Sequence, residues 1–133
     1  MSTNIPQLFK ECKTVAVVGL STDESRPSFR IARYLQTCGY KVIPVNPNIK
    51  EVLGEKAYPS LKDIPQKVDI VDVFRRSEDV PPIADDAIAI GARCLWLQEG
   101  IVNKAAAKKA EQAGLSVVMD RCIMMEHMHT RDF

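Results

Sequence analysis

Little in this sequence advertises a function, and the shortages exclude several. Aromatic residues are only 6% of the 133-residue chain, with a single tryptophan. That is too few for a platform on which the bases of a nucleic-acid strand could stack. Neither sign of charge dominates: 18 lysines and arginines stand against 17 aspartates and glutamates, a formal net charge of +1. Such a balance gives no general nucleic-acid or membrane surface. No apolar run is long enough to span a bilayer, and residues 1–14 lack the apolar stretch of a secretory leader. The four cysteines, Cys12, Cys38, Cys94 and Cys122, form no C-x-x-C pair and fit no zinc spacing. His127 and His129 flank no third ligand except Glu126, and a solvated pair is expected there rather than a metal site. The expectation is a cytoplasmic protein with reduced thiols and no metal.

Nucleotide fingerprints are missing as well. A dinucleotide site of the NAD type shows G-x-G-x-x-G after its first strand and an acidic residue at the end of its second. Here the corresponding loop, GLSTDESRPS, holds one glycine, and the second strand runs into Val45-Asn46-Pro47. The phosphate-loop pattern G-x-x-x-x-G-K-[ST] is also absent, which argues against ATP hydrolysis of that kind.

What is present centres on residues 14–29, TVAVVGLSTDESRPSF. Thr14–Val18 is an unbroken run of β-branched and small apolar residues, as in a strand buried on both faces of a parallel sheet. Gly19 follows, then a small polar loop, then Pro27, a good first residue for a helix. Strand, glycine turn and helix start together make a phosphate site. Free backbone N–H groups point outward from a helix N-terminus, and the helix dipole favours an anion there.

The rest of the chain alternates between helix and strand. Residues 5–12 predict a short helix, expected to prop the sheet edge. A helix over 27–38 stops at Gly39, and Lys41–Val45 is a second strand, in which Pro44 argues against pairing on both sides. Asn46-Pro47-Asn48 is a turn, a short irregular strand is expected near Ala57, and Ser60 caps a helical turn. A strand over 68–74 is interrupted by Asp69 and Asp72. A helix over 78–90 carries Pro81 and Pro82 in its first turn. Cys94–Leu97 is a strand, 103–113 a helix with Asn103 as its cap, 116–119 the last strand and 123–128 a terminal helix. This is the alternation of a doubly wound α/β fold: one domain over 1–133, its core over 14–120, with a mostly parallel sheet of about five strands and helices on both faces. A chain of this length buries roughly two-thirds of its unfolded surface without staples.

In this order the segments VVGLS…RPS (17–28), GYKVIPVNP (39–47), YPSLKDIP (58–65), VDIVDVFRRSE (68–78), WLQEGI (96–101) and AGLSVVMDRC (113–122) resemble a known family. It is that of the small stand-alone coenzyme A (CoA)-binding proteins, related to the N-terminal domain of the succinyl-CoA synthetase α subunit. The resemblance covers residues 15–127. It implies a Rossmann-like fold that binds CoA or an acyl-CoA, with contacts from Gly19, Leu20 and Ser21, from the turn at Asn46 and Pro47, and from Val73, Phe74 and Arg75. A diphosphate and a ribose 3′-phosphate need amide donors and cations. Ser21, Arg26 and Ser28 can supply donors around the first loop. Arg75 is preferred over Arg76 as a phosphate fork, with Lys50 a weaker candidate. Gln98, Glu99 and Gly100 end a strand and can face the pantetheine arm. Asp120 and Arg121 read as an internal ion pair. Cys122 is either a structural thiol or a neighbour of that arm, able to form a mixed disulfide with CoA. No catalytic set is visible, and the synthetase's phosphorylated histidine belongs to a further domain. The expected function is therefore CoA binding without catalysis, the partner a CoA-type small molecule, with a homodimer or a protein partner possible. The alternatives are a CoA-binding subunit of a multi-chain ligase or transferase, and an NAD(P)-binding regulator.

Overall fold

A computed structural model describes residues 3–131. Its strands are β1 (Thr14–Val18), β2 (Lys41–Val45), β3 (Glu51–Val52), β4 (Glu55–Lys56), β5 (Ile70–Val73), β6 (Cys94–Leu97) and β7 (Ser116–Val118). The helices are α1 (Ile5–Glu11), α2 (Pro27–Thr37), α3 (Val80–Ala89), α4 (Lys104–Gln112) and α5 (Ile123–Arg131). Five strands form one parallel sheet in the order β2-β1-β5-β6-β7. The chain leaves β1 toward β2 on one side and returns to β5 on the other. The β1/β5 junction is therefore the switch point, where an open α/β sheet leaves a crevice at its carboxyl ends.

Side-chain alternation sorts the core into two layers. Val15, Val17, Ile70, Cys94 and Trp96 face α1, α2 and α5. Ala16, Val18, Val71, Val73, Leu95 and Leu97 face α3 and α4. β5 and β6 are buried at every position, as central parallel strands must be. Asp72 shares the first face with Ile70 and is fully buried. Asp69, just before β5, accepts the N–H groups of Lys13 (2.7 Å) and Thr14 (3.1 Å), and so clamps the start of β1. The two aspartates that interrupt this strand thus have opposite fates.

Pro44 lies inside β2, opposite Val17, because β2 is an edge strand. The N–H of Lys41 points inward to the Lys13 carbonyl, so alternation turns position 44 outward, where no ladder donor is needed. The outward Pro44 carbonyl accepts the Tyr58 N–H at 3.0 Å, and a bridge between Val45 and Tyr58 covers this edge.

Four expectations need correction. α1 does not prop the sheet edge; it lies over the first face, with the Phe9 ring 5.6 Å from Trp96. The irregular strand near Ala57 is a β3–β4 hairpin closed at Leu53-Gly54, both with positive φ (54° and 75°), a turn that non-glycine residues seldom make. The prolines do fall in the first turn of α3, but a 3₁₀ turn at Ser77–Asp79 precedes it. α5 runs on to Arg131. Asn103 caps α4 by accepting the Ala106 N–H at 3.0 Å, and Ser60 and Asp63 cap each other's turn, as expected.

Candidate functional site

β1 delivers the chain to the switch point, and Gly19 turns it there at φ +89°. A side chain on Gly19 would collide with the carbonyl oxygen of Phe74 and stand 3.3 Å from the Arg75 Nε. Glycine is therefore required twice, for the left-handed backbone and for the close approach of the β5 end. The Phe74 N–H donates to the Val18 carbonyl at 2.8 Å, which locks the two strand ends together.

Internal hydrogen bonds hold the loop after Gly19. Ser28, 5% exposed, accepts the Ser21 N–H on its Oγ at 3.0 Å, and the Ser21 Oγ accepts the Asp23 N–H at 3.0 Å. Asp23 in turn accepts the Ser25 hydroxyl (2.7 Å) and N–H (2.9 Å), which hold its carboxyl below the usual range. Asn46 ties this loop to the next: its Nδ2 donates to the Leu20 carbonyl at 3.1 Å and its Oδ1 accepts the Asn48 N–H. Among the described residues no side chain caps the first turn of α2, so its leading amides have no side-chain partner there.

Two clefts open at this end of the sheet. The larger, about 1090 Å³, lies between α2 and the carboxyl ends of β5 and β6, and four arginines line it: Arg30 and Arg33 from α2, and Arg75 and Arg76 after β5. Asp79 and Glu99 are the carboxylates on its walls, so the cations are in excess. The smaller, about 230 Å³, is walled mainly by apolar residues, Val45, Pro47, Leu61, Pro82 and Ile83 among them, with Ser60 and Asp86 also on its walls. Arg75 is the residue common to both. Arg76 is committed to Asp79 (3.3 Å) and Glu78 (3.7 Å), and the Arg33 guanidinium lies over the Phe29 ring. Among the described residues Arg75 makes no ion pair.

The structure brings most of the residues singled out from the sequence into this region. Gly19, Leu20, Ser21, Ser28 and Asn46 build the loop, though Leu20 is fully buried and Ser28 is spent on the loop itself. Val73 is buried behind the site, Phe74 and Arg75 line the larger cleft, and Pro47 lines the smaller. Among the described residues, Arg26, its side chain 70% exposed, pairs with Asp23 at 4.0 Å and lines neither cleft, and exposed Lys50 lines neither as well. Sequence reasoning missed Arg30 and Arg33. Their three-residue spacing puts them on one side of α2, a signal available once the N-terminus of that helix is placed at the switch point.

The C-terminal segment also differs from expectation. Arg121 pairs with Glu126 (3.3 Å), not with Asp120, and the Asp120 Oδ1 accepts the Gly100 N–H at 2.7 Å. The Arg121 carbonyl accepts the Trp96 Nε1–H at 2.8 Å, which satisfies the indole of a fully buried tryptophan. His127 is not solvated. It is 8% exposed, its Nδ1 is 2.7 Å from the Tyr34 hydroxyl, and its ring packs edge-on against Phe9, Tyr34 and Tyr40. It lines a separate cavity of about 720 Å³ between α1 and α5. No cluster of three or more metal-ligating side chains occurs among the described residues, and none of their helices is long and apolar enough to cross a membrane.

Known proteins share this architecture. The chain is 42% identical over 127 residues to the uncharacterized protein YneT of Bacillus subtilis, covering 96% of this chain and 94% of that protein. A solved structure of a hypothetical protein from Pyrococcus horikoshii OT3 superposes with a TM-score of 0.94 at 40% identity, covering 96% of this chain and 90% of the other. An ADP-forming acetate–CoA ligase II of Archaeoglobus fulgidus is 36% identical over 83 residues, 61% of this chain but 12% of the ligase. The CoA binding domain model matches residues 13–128, the whole parallel sheet with α2, α3, α4 and most of α5, and the chain belongs to that family.

Proposed function

We propose that this protein binds CoA, or an acyl-CoA, across the switch point, and does so without catalysis of its own. The observation that carries the reading is Arg75: it has no ion-pair partner among the described residues, stands beside Gly19, and is shared by an arginine-lined cleft and an apolar one. A ligand with a diphosphate at its middle fits that arrangement. The phosphates lie between Arg75 and the uncapped first turn of α2, where a guanidinium and helix amides favour anions. The adenine end takes the apolar cleft between Pro47 and Pro82. The pantetheine arm takes the larger cleft along Phe74 and Gln98, with Arg30 near enough to its wall to offset the ligand's negative charge.

A binding role also fits what surrounds the cleft. Among the described residues no histidine lines it, and Asp79, one of its two carboxylates, is already paired with Arg76. Similarity to part of an acetate–CoA ligase supports a second reading, in which the bound CoA serves a partner protein that carries the chemistry. Ligase assays with and without candidate partner proteins separate the two.

Thermal melts with CoA, dephospho-CoA, NAD and ATP test the proposal. A ligand that binds only the folded state at ~100 times its dissociation constant adds about 2.7 kcal/mol of stability. CoA is expected to shift the transition and NAD to leave it in place. An NAD shift equal to that of CoA overturns the reading.

A further inference from the structure

We propose that Cys122 is a modification site: it exchanges with the disulfide form of the bound ligand, CoA disulfide, to give a protein–CoA mixed disulfide. This rests on the CoA-binding reading above and assigns a covalent fate to the far end of the same cleft.

The four thiols are not equivalent. Cys12 and Cys94 are 3% and 0% exposed, and burial pushes the Cys12 thiol up to about 11 and that of Cys94 higher still. Neither can be reached or readily ionised. Cys38 is partly exposed but sits at the far end of α2, where Arg131 lies 3.8 Å from its sulfur. Cys122 is partly exposed and lines the larger cleft together with Phe74, Arg75 and Gln98. β7 lies at the sheet edge, away from the switch point, yet Cys122 reaches the cleft. The segment after β7 turns back over the sheet, held by the Arg121 N–H to the Leu97 carbonyl and by the Trp96 indole to the Arg121 carbonyl.

A second observation, independent of the thiol, marks the floor beside it as a surface for a ligand. Gln98 is 4% exposed and lines the same cleft. Its Oε1 accepts the Ile123 N–H at 3.1 Å, which fixes the orientation of the amide. The Nε2 donors then have no partner among the described residues. The buried side-chain atoms without a partner among the described residues are the Asp72 oxygens, so this NH₂ opens into the cleft, where it can donate to a ligand. The pantetheine arm offers two amide carbonyls and ends in sulfur. A carbonyl on Gln98 leads that sulfur toward Cys122, the next residue in the chain before the N–H that Gln98 holds.

The exchange balances without a further oxidant. The Cys122 thiol gives its proton to solvent, and its sulfur attacks one sulfur of CoA disulfide. The old S–S bond breaks as the new one forms. The departing CoA thiolate takes up a proton and leaves as free CoA. Binding through Arg75 holds the disulfide beside Cys122, so the step becomes intramolecular in effect.

Intact-mass analysis of the full chain after treatment with CoA disulfide tests this, with peptide mapping of the unmutated protein to locate the adduct. A gain of one CoA less two hydrogens is expected, mapped to Cys122, absent in Cys122→Ser and retained in Cys38→Ser. Excess adenosine 3′,5′-bisphosphate should slow it at least tenfold, and oxidised glutathione, which lacks the nucleotide, should react far more slowly. An adduct mapped to another cysteine overturns the assignment. So does no adduct in a protein whose melting CoA still shifts, which leaves CoA binding intact. If CoA shifts nothing and no adduct forms, the CoA-binding reading itself fails.

Discussion

Gly19 and the Phe74 carbonyl are packed so closely that no side chain fits between them. This one approach holds the first βα loop against the end of β5, and it sets the Arg75 guanidinium beside the loop. Gly19→Ala adds a methyl group at a backbone φ of +89° and against the carbonyl of Phe74, whose own N–H is held by the Val18 carbonyl. It is expected to cost about 1–3 kcal/mol of stability in urea unfolding and to weaken CoA binding by a larger factor than a distant mutation of equal stability cost. Unchanged stability and affinity would mean that the loop can shift away without consequence.

Arg75 and Arg76 are adjacent in sequence and differ in what they hold. Arg76 is engaged by Asp79 and Glu78; Arg75 has no such partner among the described residues. Arg75→Ala is expected to lower CoA affinity by about 1.5–3 kcal/mol, the worth of one charge-assisted phosphate contact, and to leave the thermal transition of the free protein in place. Arg76→Ala is expected to change affinity by less than tenfold. Titration calorimetry on the two variants decides the matter, and the reverse ranking would move the phosphate to Arg76.

Much of this was legible in the sequence because period and punctuation agree with the fold. The unbroken apolar run at Thr14–Val18 named the first strand, and Gly39 marked where a helix gives way to a strand. Pro44 correctly announced an edge. The illegible parts are those set by tertiary context. A hairpin that turns at Leu53-Gly54 uses a leucine where the turn rule expects Asn or Asp. The route of the chain after β7, which decides whether Cys122 faces the cleft, depends on the Trp96 indole finding a carbonyl 25 residues away. Arg30 and Arg33 became site residues only when their helix was placed, and Arg26 and Lys50 read as donors from position alone while their side chains lie outside both clefts.

His127 makes the fold sensitive to acid. Burial holds its ring below the usual histidine range, and Arg131 adds to that. The folded state therefore keeps the imidazole neutral where the unfolded chain would protonate it. The stability this group contributes is fully present above about pH 6.5, the unfolded value, and is lost as pH falls toward the lowered folded value. Unfolding measured from pH 8 to pH 5 should show the loss below neutrality, and His127→Phe should flatten it while keeping an aromatic ring among Phe9, Tyr34 and Tyr40. An equal acid loss in His127→Phe would assign the effect to other groups.

Asp72 is the costly residue of the core. It lies on central β5 between Val17 and Trp96, is fully buried, and neither carboxyl oxygen has a hydrogen-bond partner among the described residues. Burial alone pushes its carboxyl well above the usual range. The sign of the resulting pH dependence is opposite to that of an ion-paired carboxylate. From about pH 4, the unfolded value, upward to the raised folded value, the folded state holds a proton that the unfolded chain has released, so stability falls as pH rises. Asp72→Asn should remove this contribution to the pH slope while leaving a polar group unpaired. Asp72→Val should remove the unpaired oxygens as well, at a position whose strand neighbours are apolar. It is expected to raise stability at pH 7 by about 1–3 kcal/mol, the range for an unsatisfied buried polar group. Urea unfolding of the parent and both variants between pH 4 and pH 8 measures slope and offset together. A less stable Asp72→Val would show that the native carboxyl is satisfied by a group the protein packing does not supply.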